Sequence, residues 1–316
     1  MRTPAFSVGS VTLQDSQPSG VYGTPPAELA ETPNGAIQFS PLIPGSERLE
    51  EQGEGALGSM VVLAPPGTVE RRYTTALALR ALAPGGSLTI LAPKDKGGSR
   101  IAKELKAFGC DVAETSRRHH RICACPRPAL LTGIQEALAE GGPRLDEGLG
   151  LWTWPGVFSW NRLDPGSALL EQSLTALSGR GADFGCGIGI LARAILAFPK
   201  VEHLAMIDID RRAVDMAARN IGDPRAELRW ADIRSGTGMK GLDFAVMNPP
   251  FHDGGAEDQS LGQAFIRRAA EALRPGGVLW LVANRHLPYE AVLRSLFKRV
   301  TPKVEANGYK IYEAVK

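Results

Sequence analysis

The sequence predicts an α/β protein made of two similar halves, each containing a parallel, doubly wound sheet. Short apolar runs alternate with helical patterns along most of the chain, which is typical of parallel sheets covered by helices. Both halves contain a helix–Pro-Gly-Gly–strand unit, at 81–92 and 272–283, and both precede it with a strand that ends in Pro-Pro, at 60–67 and 244–251. Two matched elements in the same order indicate that one fold occurs twice.

The order of apolar runs and helical patterns defines the predicted elements. Strands are predicted at 60–64, 87–92, 204–209, 244–248 and 278–283, and helices at 74–83, 99–108, 168–178, 190–198, 211–220 and 261–274. The first 45 residues hold seven prolines and little periodicity, which predicts irregular polypeptide. We therefore divide the chain into a Pro-rich segment (1–50), a first domain (51–145) and a second domain (146–316), with the Gly-, Pro- and Trp-rich stretch 141–160 between the domains.

Composition excludes several classes of protein. The chain has 316 residues, of which 43% are hydrophobic and 22% charged, so it can bury the cores of two domains and is not disordered as a whole. No apolar stretch approaches the ~18 residues of a membrane span, and the N-terminus lacks the apolar core of a secretory signal. Four cysteines form no CxxC pair and no metal-ligand pattern. We expect a cytoplasmic protein without a membrane partner or a metal site.

The net charge of +2 is too small to indicate a nucleic-acid partner by itself. Two local basic clusters are more informative, one at 117–121 and one formed by Arg294, Lys298, Arg299 and Lys303. Such clusters are either solvated faces or phosphate contacts, and charge alone leaves both interpretations open.

A glycine-rich motif, Asp183-Phe184-Gly185-Cys186-Gly187-Ile188-Gly189, precedes a predicted helix. Glycines at alternate positions let the backbone turn sharply and approach a ligand, and Asp208 follows at the spacing of a carboxylate that binds ribose hydroxyls. The motif is GxGxG after an aspartate rather than the dinucleotide pattern GxGxxG, which favours S-adenosylmethionine as the cofactor. The predicted cofactor-binding residues are Asp183, Gly185, Cys186, Gly187, Gly189, Asp208, Ile209, Asp232, Ile233 and Asn248.

The motif Asn248-Pro249-Pro250-Phe251 lies at the carboxyl end of a predicted parallel strand, where α/β sheets place their ligands. The prolines fix the backbone and remove two N–H donors, so that local carbonyls and the Asn248 side-chain oxygen can accept both hydrogens of a planar amino group. Phe251 offers a face on which a base can stack. We predict that these four residues are catalytic and act by orienting the amine, without a covalent enzyme intermediate. A Pro-Pro turn that only ends the strand is the structural alternative.

The corresponding positions of the first half are Ala64-Pro65-Pro66-Gly67, which lack the amide and the aromatic ring. The first half also lacks a GxGxG motif after a strand. The sequence thus predicts two tandem Rossmann-like class I methyltransferase domains, of which the N-terminal one is degenerate. That domain would dock RNA, steady the second domain, or both.

At several places the chain resembles the bacterial 16S rRNA guanine-N2 methyltransferases and their large-subunit relatives. The resemblance covers about residues 55–316 and is carried by the segments 155–159, 163–170, 248–254, 282–284, 287–289 and 308–312. It implies a first domain without cofactor and methylation of a guanine N2 of 16S rRNA in the assembled 30S subunit. It further implies that Phe158, Ser159 and the segment 164–167 line the mouth of the cofactor and base pocket. His252 and Asp253, next to Phe251, would shape that pocket or contact the base, with His252 lining it rather than accepting the proton.

Several alternatives remain open at this stage. One is N-methylation of another planar amine, on 23S rRNA guanine, DNA adenine or protein glutamine, since related Asn-Pro-Pro motifs serve those reactions. Another is a ribosome assembly factor without turnover, which the retention of Asp183, Asp208 and Asn248 disfavours. A nicotinamide-dependent oxidoreductase is disfavoured by the glycine spacing. The tandem duplication predicts a monomer.

Overall fold

A computed structural model describes residues 17–250, 252–253, 256–257 and 259–316, with side chains for 17–250 and 260–316. The residues group into two compact units. The first unit contains the described residues up to Phe39 together with Glu47–Ala64 and Thr74–Ile134. The second contains Ser40–Ser46, Pro65–Tyr73 and Gln135–Lys316.

The first unit is built on a six-stranded sheet in the order β2-β1-β3-β4-β6-β5. Its strands are β1 (Ser19–Tyr22), β2 (Ile37–Phe39), β3 (Leu57–Leu63), β4 (Leu82–Pro93), β5 (Ala113–Arg117) and β6 (His120–Pro126). The first four strands of that order are parallel, and β6 and β5 add an antiparallel hairpin. The helices of this part of the sequence are α1 (Thr68–Ala81), α2 (Ile101–Ala107) and α3 (Ile134–Gly141).

The second unit begins with a short hairpin, β7 (Arg144–Asp146) and β8 (Leu151–Thr153). Its main sheet has seven strands in the order β11-β10-β9-β12-β15-β17-β16. The strands are β9 (Gly179–Phe184), β10 (Val201–Asp208), β11 (Ala226–Trp230), β12 (Leu242–Met247), β15 (Leu273–Asn284), β16 (Arg299–Ala306) and β17 (Tyr309–Val315). A two-stranded piece, β13 (His252–Asp253) with β14 (Ala256–Glu257), lies between β12 and the following helix. The helices are α4 (Pro165–Ser173), α5 (Ile190–Leu196), α6 (Arg211–Asn220), α7 (Gln259–Ala272) and α8 (Glu290–Leu296).

Side chains of the central strands of this second sheet are buried on both faces. Along β12, Phe244 and Val246 pack into one apolar cluster, whereas Ala245 and Met247 pack into the other. This alternation follows from the two-residue period of a strand, and burial on both faces is the pattern of a parallel sheet covered by helices. The strand is therefore rigid up to its end, where the Asn248 motif begins.

The two sheets share one plan, which confirms the predicted tandem α/β arrangement. In each, parallel strands are followed by an antiparallel hairpin, and the sheet order aligns β4 with β15 and β3 with β12. The first sheet has no counterpart of β11. The Pro-Gly-Gly units lie within β4 and β15, as the duplication requires.

The prediction that the segment 1–50 is irregular is wrong at two short strands. Residues 19–22 and 37–39 are strands of the first sheet, and Ser40–Ser46 groups with the second unit. These strands have four and three residues, too few to produce a periodic pattern between prolines, and parallel pairing with β3 holds β1 in place. The stretch 141–160 likewise contains β7 and β8 and groups with the second unit.

None of the described helices combines the length and apolar character needed to span a lipid bilayer. Within the described residues, His, Cys, Asp and Glu side chains form no group that could hold a metal ion. All four cysteines are buried and free.

Candidate active site

A cavity of about 430 Å³ opens at the carboxyl ends of β9, β10, β11 and β12. Its volume is within the range of about 300–1,000 Å³ that is usual for small-molecule sites. The lining residues come from seven segments of the second unit: Leu42, Phe158, Gly185, Gly187, Asp208, Ile209, Ala231, Asp232, Ile233, Arg234, Asn248, Pro249, Pro250, Leu261 and Phe265. The structure thus brings most of the predicted cofactor residues to one place.

The glycine loop forms one wall of this cavity. Gly185, Gly187 and Gly189 have φ values of +80°, +53° and +92°, which L residues with a side chain rarely adopt. The N–H groups of Gly185 and Cys186 donate to the Ile207 carbonyl at 2.8 and 3.0 Å, which fixes the turn against β10. A Cβ on Gly187 would meet nothing within 4 Å, so that face of the loop is open to a ligand.

Asp208 ends β10 and joins the glycine loop to the next helix. Its Oδ2 accepts the Gly187 N–H at 2.8 Å, and its Oδ1 accepts the Asp210 N–H at 2.8 Å. Burial raises the pKa of Asp208 to about 6. Each carboxylate oxygen keeps a second lone pair, so the group can still accept hydroxyl hydrogens from a ligand in the cavity.

Asp183 lies in β9, fully buried, and is not part of the cavity wall. Neither of its carboxylate oxygens has a hydrogen-bond partner among the described residues. Burial, together with the nearby charge of Asp208, raises the pKa of Asp183 to about 8. An orphaned buried carboxyl group beside a glycine loop fits a cationic ligand, because such a charge would offset the cost of ionising it.

Asp232 lines the cavity after β11 and has a local partner. Its carboxylate accepts from the Arg234 backbone N–H at 2.9 Å and from the Arg234 guanidinium at 2.9 Å. Partial burial raises the pKa of Asp232, but the hydrogen bonds from Arg234 outweigh it and the net pKa is lowered. The adjoining Ile233 is buried and gives the cavity an apolar surface.

Asn248 is held in one orientation by two side chains of the α4 N-terminus. Its Nδ2 donates to Asp164 Oδ2 and to Ser167 Oγ, both at 2.9 Å. Asp164 is itself fixed as the helix cap, since its Oδ2 accepts the Ser167 N–H at 2.7 Å. With both amide hydrogens donated, the remaining polar atom of Asn248 is the acceptor Oδ1. The amide oxygen is therefore left as a hydrogen-bond acceptor at the cavity wall.

The rest of the predicted catalytic motif is described in part. Pro249 is buried and Pro250 is exposed, and both line the cavity. Phe251 lies outside the described residues. His252 and Asp253 form β13, and their side chains are outside what the structure describes. The predicted roles of these three side chains remain predictions.

Of the two predicted substrate residues in the loop before α4, Phe158 lines the cavity and Ser159 does not. Phe158 is 57% exposed and lines the cavity, which suits a stacking surface at its rim. Ser159 does not line the cavity, and its hydroxyl donates to the Arg162 carbonyl instead. With φ of +61°, Ser159 shapes the loop that carries Phe158.

Cys186 and Gly189 are also absent from the cavity wall. Cys186 packs in the apolar cluster beneath the loop, and burial raises its thiol pKa well above the usual value. A thiol kept protonated is a poor nucleophile, which agrees with a packing role. Gly189 acts through the backbone, where its positive φ leads the chain into α5.

Sequence reasoning missed Leu42, which lines the cavity although it comes from the Pro-rich segment. The Pro41 carbonyl holds this segment in place by accepting from Trp230 Nε1 at 3.1 Å and from the Arg211 N–H at 2.9 Å. Leu42 is 49% exposed, so it forms the rim with Phe158. Its environment depends on contacts between residues about 190 positions apart in sequence, and no local motif signals them.

Leu261 and Phe265 of α7 were also missed as cavity residues. Both lie in a segment correctly predicted to be helical, but periodicity shows that a helix has a buried face and does not distinguish core from pocket.

Comparisons with known proteins agree with this geometry. The family described as Methyltransferase small domain matches residues 148–313. A Pseudomonas aeruginosa protein named ribosomal RNA small subunit methyltransferase C is 33% identical over 288 residues, covering 88% of this chain and 85% of that protein. A Shewanella loihica protein of the same name is 32% identical over 262 residues, covering 80% and 76%.

Among solved structures, a T. thermophilus 16S rRNA guanine-N2 methyltransferase in complex with AdoMet and guanosine is similar in fold. Its TM-score is 0.73 at 25% sequence identity, over 94% of this chain and 82% of that one. The similarity thus extends over both units of the present chain.

Proposed function

This chain belongs to the family of ribosomal RNA small subunit methyltransferase C, and from that premise we propose which residues carry its activity. The activity is S-adenosylmethionine-dependent methylation of a guanine N2 in 16S rRNA, as in the related T. thermophilus enzyme. The observation that supports placing the chemistry in the second unit is the fixed amide of Asn248 at the cavity wall.

Asn248 and Pro249 orient the amine. Asn248 Oδ1 accepts one amine hydrogen and the Pro249 carbonyl accepts the other, so the guanine amino group is held at the carboxyl end of β12. The nitrogen lone pair of a base amine is delocalised into the ring. Hydrogen-bond acceptors on both hydrogens favour a pyramidal nitrogen and direct its lone pair at the methyl donor. No covalent bond to the protein is needed.

S-adenosylmethionine supplies the methyl group as an electrophile. The protein residues that would hold it are Asp208, by accepting hydrogens from ribose hydroxyls, and the backbone of Gly185 and Gly187, which leaves room for the ligand. Ile233 and Leu42 provide apolar surface for the adenine. Asp183 provides the negative charge that favours a cationic ligand from beneath the loop.

Phe158 and Phe251 are proposed to contact the base, which must leave its helical stack to reach the cavity at a cost of a few kcal/mol. His252 and Asp253 follow Phe251 and are proposed to shape the same pocket. We further propose that the substrate is the small-subunit particle, that the modified base is the guanine the T. thermophilus enzyme modifies, and that the protein acts in the cytoplasm as a monomer.

The test is transfer of labelled methyl from S-adenosylmethionine to 30S particles, 50S particles, duplex DNA and bulk protein, followed by identification of the labelled nucleoside and mapping of its position. Label in N2-methylguanosine of 30S particles, lost in Asn248→Ala, is the expected result. Label in 50S particles would support the same methylation reaction but on large-subunit rRNA. Label in DNA or protein alone would contradict the assignment.

A further inference from the structure

The turn between β5 and β6 has an unusual composition. The two residues that connect the strands are Arg118 and His119, with φ values of +46° and +60°. Two positive φ values in a two-residue hairpin loop are the geometry of a type I′ turn, which Asn-Gly and similar pairs adopt most readily. Neither Arg nor His has the conformational freedom of glycine, so two successive left-handed residues cost more in this turn than in an Asn-Gly pair.

The second unit contains the same turn in a relaxed form. Between β16 and β17 the loop is Asn307-Gly308, with φ values of +53° and +82°. A backbone hydrogen bond is also repeated: Lys94 N–H donates to the His119 carbonyl at 2.9 Å, and Arg285 N–H donates to the Gly308 carbonyl at 2.8 Å. The hairpins therefore occupy equivalent places in the two sheets, and the first unit keeps the geometry with an unfavourable sequence.

Strain that persists at an exposed turn points to a function for the side chains placed there. The turn is the centre of five consecutive basic residues, 117–121. Arg117, Arg118 and His119 are exposed, and the backbone bond to Lys94 brings another exposed basic residue to the same edge. That edge is the carboxyl end of β4, the side on which α/β sheets bind ligands.

Acidic residues near the turn offset part of this charge. Arg118 pairs with Glu28 at 2.9 Å, Arg121 pairs with Glu114, and Asp95 is next to Lys94. The Arg118–Glu28 pair is exposed at both side chains (63% and 47%), and exposed ion pairs are weak enough for a phosphate to compete. A positive excess remains at the tip of the hairpin.

The chemistry of the hairpin favours RNA over a protein partner. All five residues of β5 are exposed, and its one apolar residue is an alanine. The strand therefore offers no aromatic or large aliphatic anchor for a protein interface. Arginine and exposed backbone at a tight turn suit phosphate oxygens, which fix position without reading sequence.

We propose that the β5–β6 turn, centred on Arg118 and His119, binds the phosphate backbone of the rRNA substrate. This rests on the proposed function for the identity of the RNA. The degenerate unit has thus kept the carboxyl edge of its sheet as a binding surface after losing the cofactor motif. It contributes to substrate affinity and takes no part in the chemical step.

The decisive variant is the double substitution Arg118→Asn with His119→Gly, which installs the relaxed turn of the second unit. We expect its Tm to rise by about 2–5 °C, because strain is removed. We also expect the KM for 30S particles and the Kd for protein-free 16S rRNA to rise about 3- to 10-fold, with a salt slope of log Kd smaller by about 1. The value of kcat and the affinity for S-adenosylmethionine should not change.

Two further variants separate charge from strain. Arg118→Gln should weaken RNA binding without raising Tm. Lys106 is an exposed basic residue of α2 in the same unit, and Lys106→Gln should change neither the RNA affinity nor the Tm.

Filter binding to 16S rRNA is measured beside methyl transfer, so failure of the methyltransferase assignment is distinguishable from failure of this proposal. Unchanged rRNA affinity and salt slope in the relaxed-turn variant would overturn it. An effect on 30S particles with none on protein-free 16S rRNA would also overturn it, because the contact would then be with a ribosomal protein.

Discussion

The two halves of the sequence carry the same strand–Pro-Pro element, yet its carbonyls have different surroundings. In the second unit Pro249 follows Asn248 and lines the cavity. In the first half of the sequence Pro65 and Pro66 follow Ala64, and the guanidinium of Arg71 donates to their carbonyls at 3.4 and 2.8 Å. Arg71 is fully buried. An internal cation thus occupies these acceptors, whereas the equivalent acceptors after β12 are those that we propose for a base amine.

The loops that follow the equivalent strands β9 and β1 also differ. After β9 the chain turns through three glycines with positive φ into α5. After β1 one such glycine, Gly23, ends the strand, and the described residues from there to β2 are irregular, with a second positive-φ glycine at Gly35 and no helix. The duplicated fold thus keeps its sheet and hairpin, on which packing depends, whereas the glycine loop and the amide to which we assign the chemistry occur in the second half alone.

The largest expected effect concerns the amide. Asn248→Ala should lower kcat by about 10²–10³-fold, since it removes one fixed acceptor of the amine, with cofactor affinity retained. Adding Ala64→Asn to that variant should restore nothing, because Arg71 already fills the neighbouring carbonyls. Single-turnover methyl transfer measures both, and recovery in the double variant would show that the units are interchangeable.

Arg71→Met tests the structural use of the Pro-Pro carbonyls. Loss of hydrogen bonds from a charged, buried group should lower the free energy of unfolding by about 1.5–3 kcal/mol, with kcat unchanged. Urea denaturation gives the first quantity. The matched control is Arg72→Met, the next residue on α1, which is partly exposed and should cost less. Equal stability of both variants, or a loss of kcat in Arg71→Met, would refute a purely structural role for the Pro65 and Pro66 carbonyls.

Asp164 is expected to act through Asn248. Asp164→Ala removes the acceptor that orients the amide, so kcat should fall about 10–100-fold because the reacting groups lose alignment. Asp164→Asn keeps an oxygen for both the Asn248 Nδ2 and the Ser167 N–H and should recover most of the rate. A purely structural role would instead lower Tm in both variants alike and leave kcat of the folded enzyme unchanged.

A pH dependence is expected from Asp183. Its folded pKa of about 8 exceeds the unfolded value of 3.8, so the folded protein binds an extra proton between these values. Stability of the cofactor-free protein should therefore fall as pH rises from 4 to 8, by at most about 1.4 kcal/mol per pH unit from this group. Cofactor affinity should rise over pH 6–8. Asp183→Asn should flatten both profiles, as urea midpoints and titrations at each pH would show. Parallel profiles would exclude Asp183 as the source.

Much of this arrangement was predictable from sequence because its signals are local. The motif 183–189, Asp208 at the end of the next strand and the Asn248 motif each depend on residues close in sequence, and the sheet brings strand ends together. The helix predicted at 211–220 has the same bounds in the structure.

The features that the sequence does not predict depend on contacts between residues that are far apart in the chain. Leu42 reaches the cavity because Trp230 and Arg211 bind the Pro41 carbonyl. The resemblance implies that Asp164 lies near the pocket, but its hydrogen bond to Asn248, 84 positions away, has no local signal in the sequence. The strained turn at Arg118 and His119 is invisible as sequence, since its residues favour neither the turn type nor the conformation. The strain in this turn becomes evident by comparison with the equivalent turn of the second sheet, Asn307-Gly308.

Calorimetric titration with S-adenosylmethionine would give the number of cofactor sites per chain. We expect one site per chain, abolished in Asp208→Ala and unchanged in Arg71→Met, because the motif 183–189 has no counterpart after β1. Two sites per chain, or one site that persists in a folded Asp208→Ala variant, would contradict it.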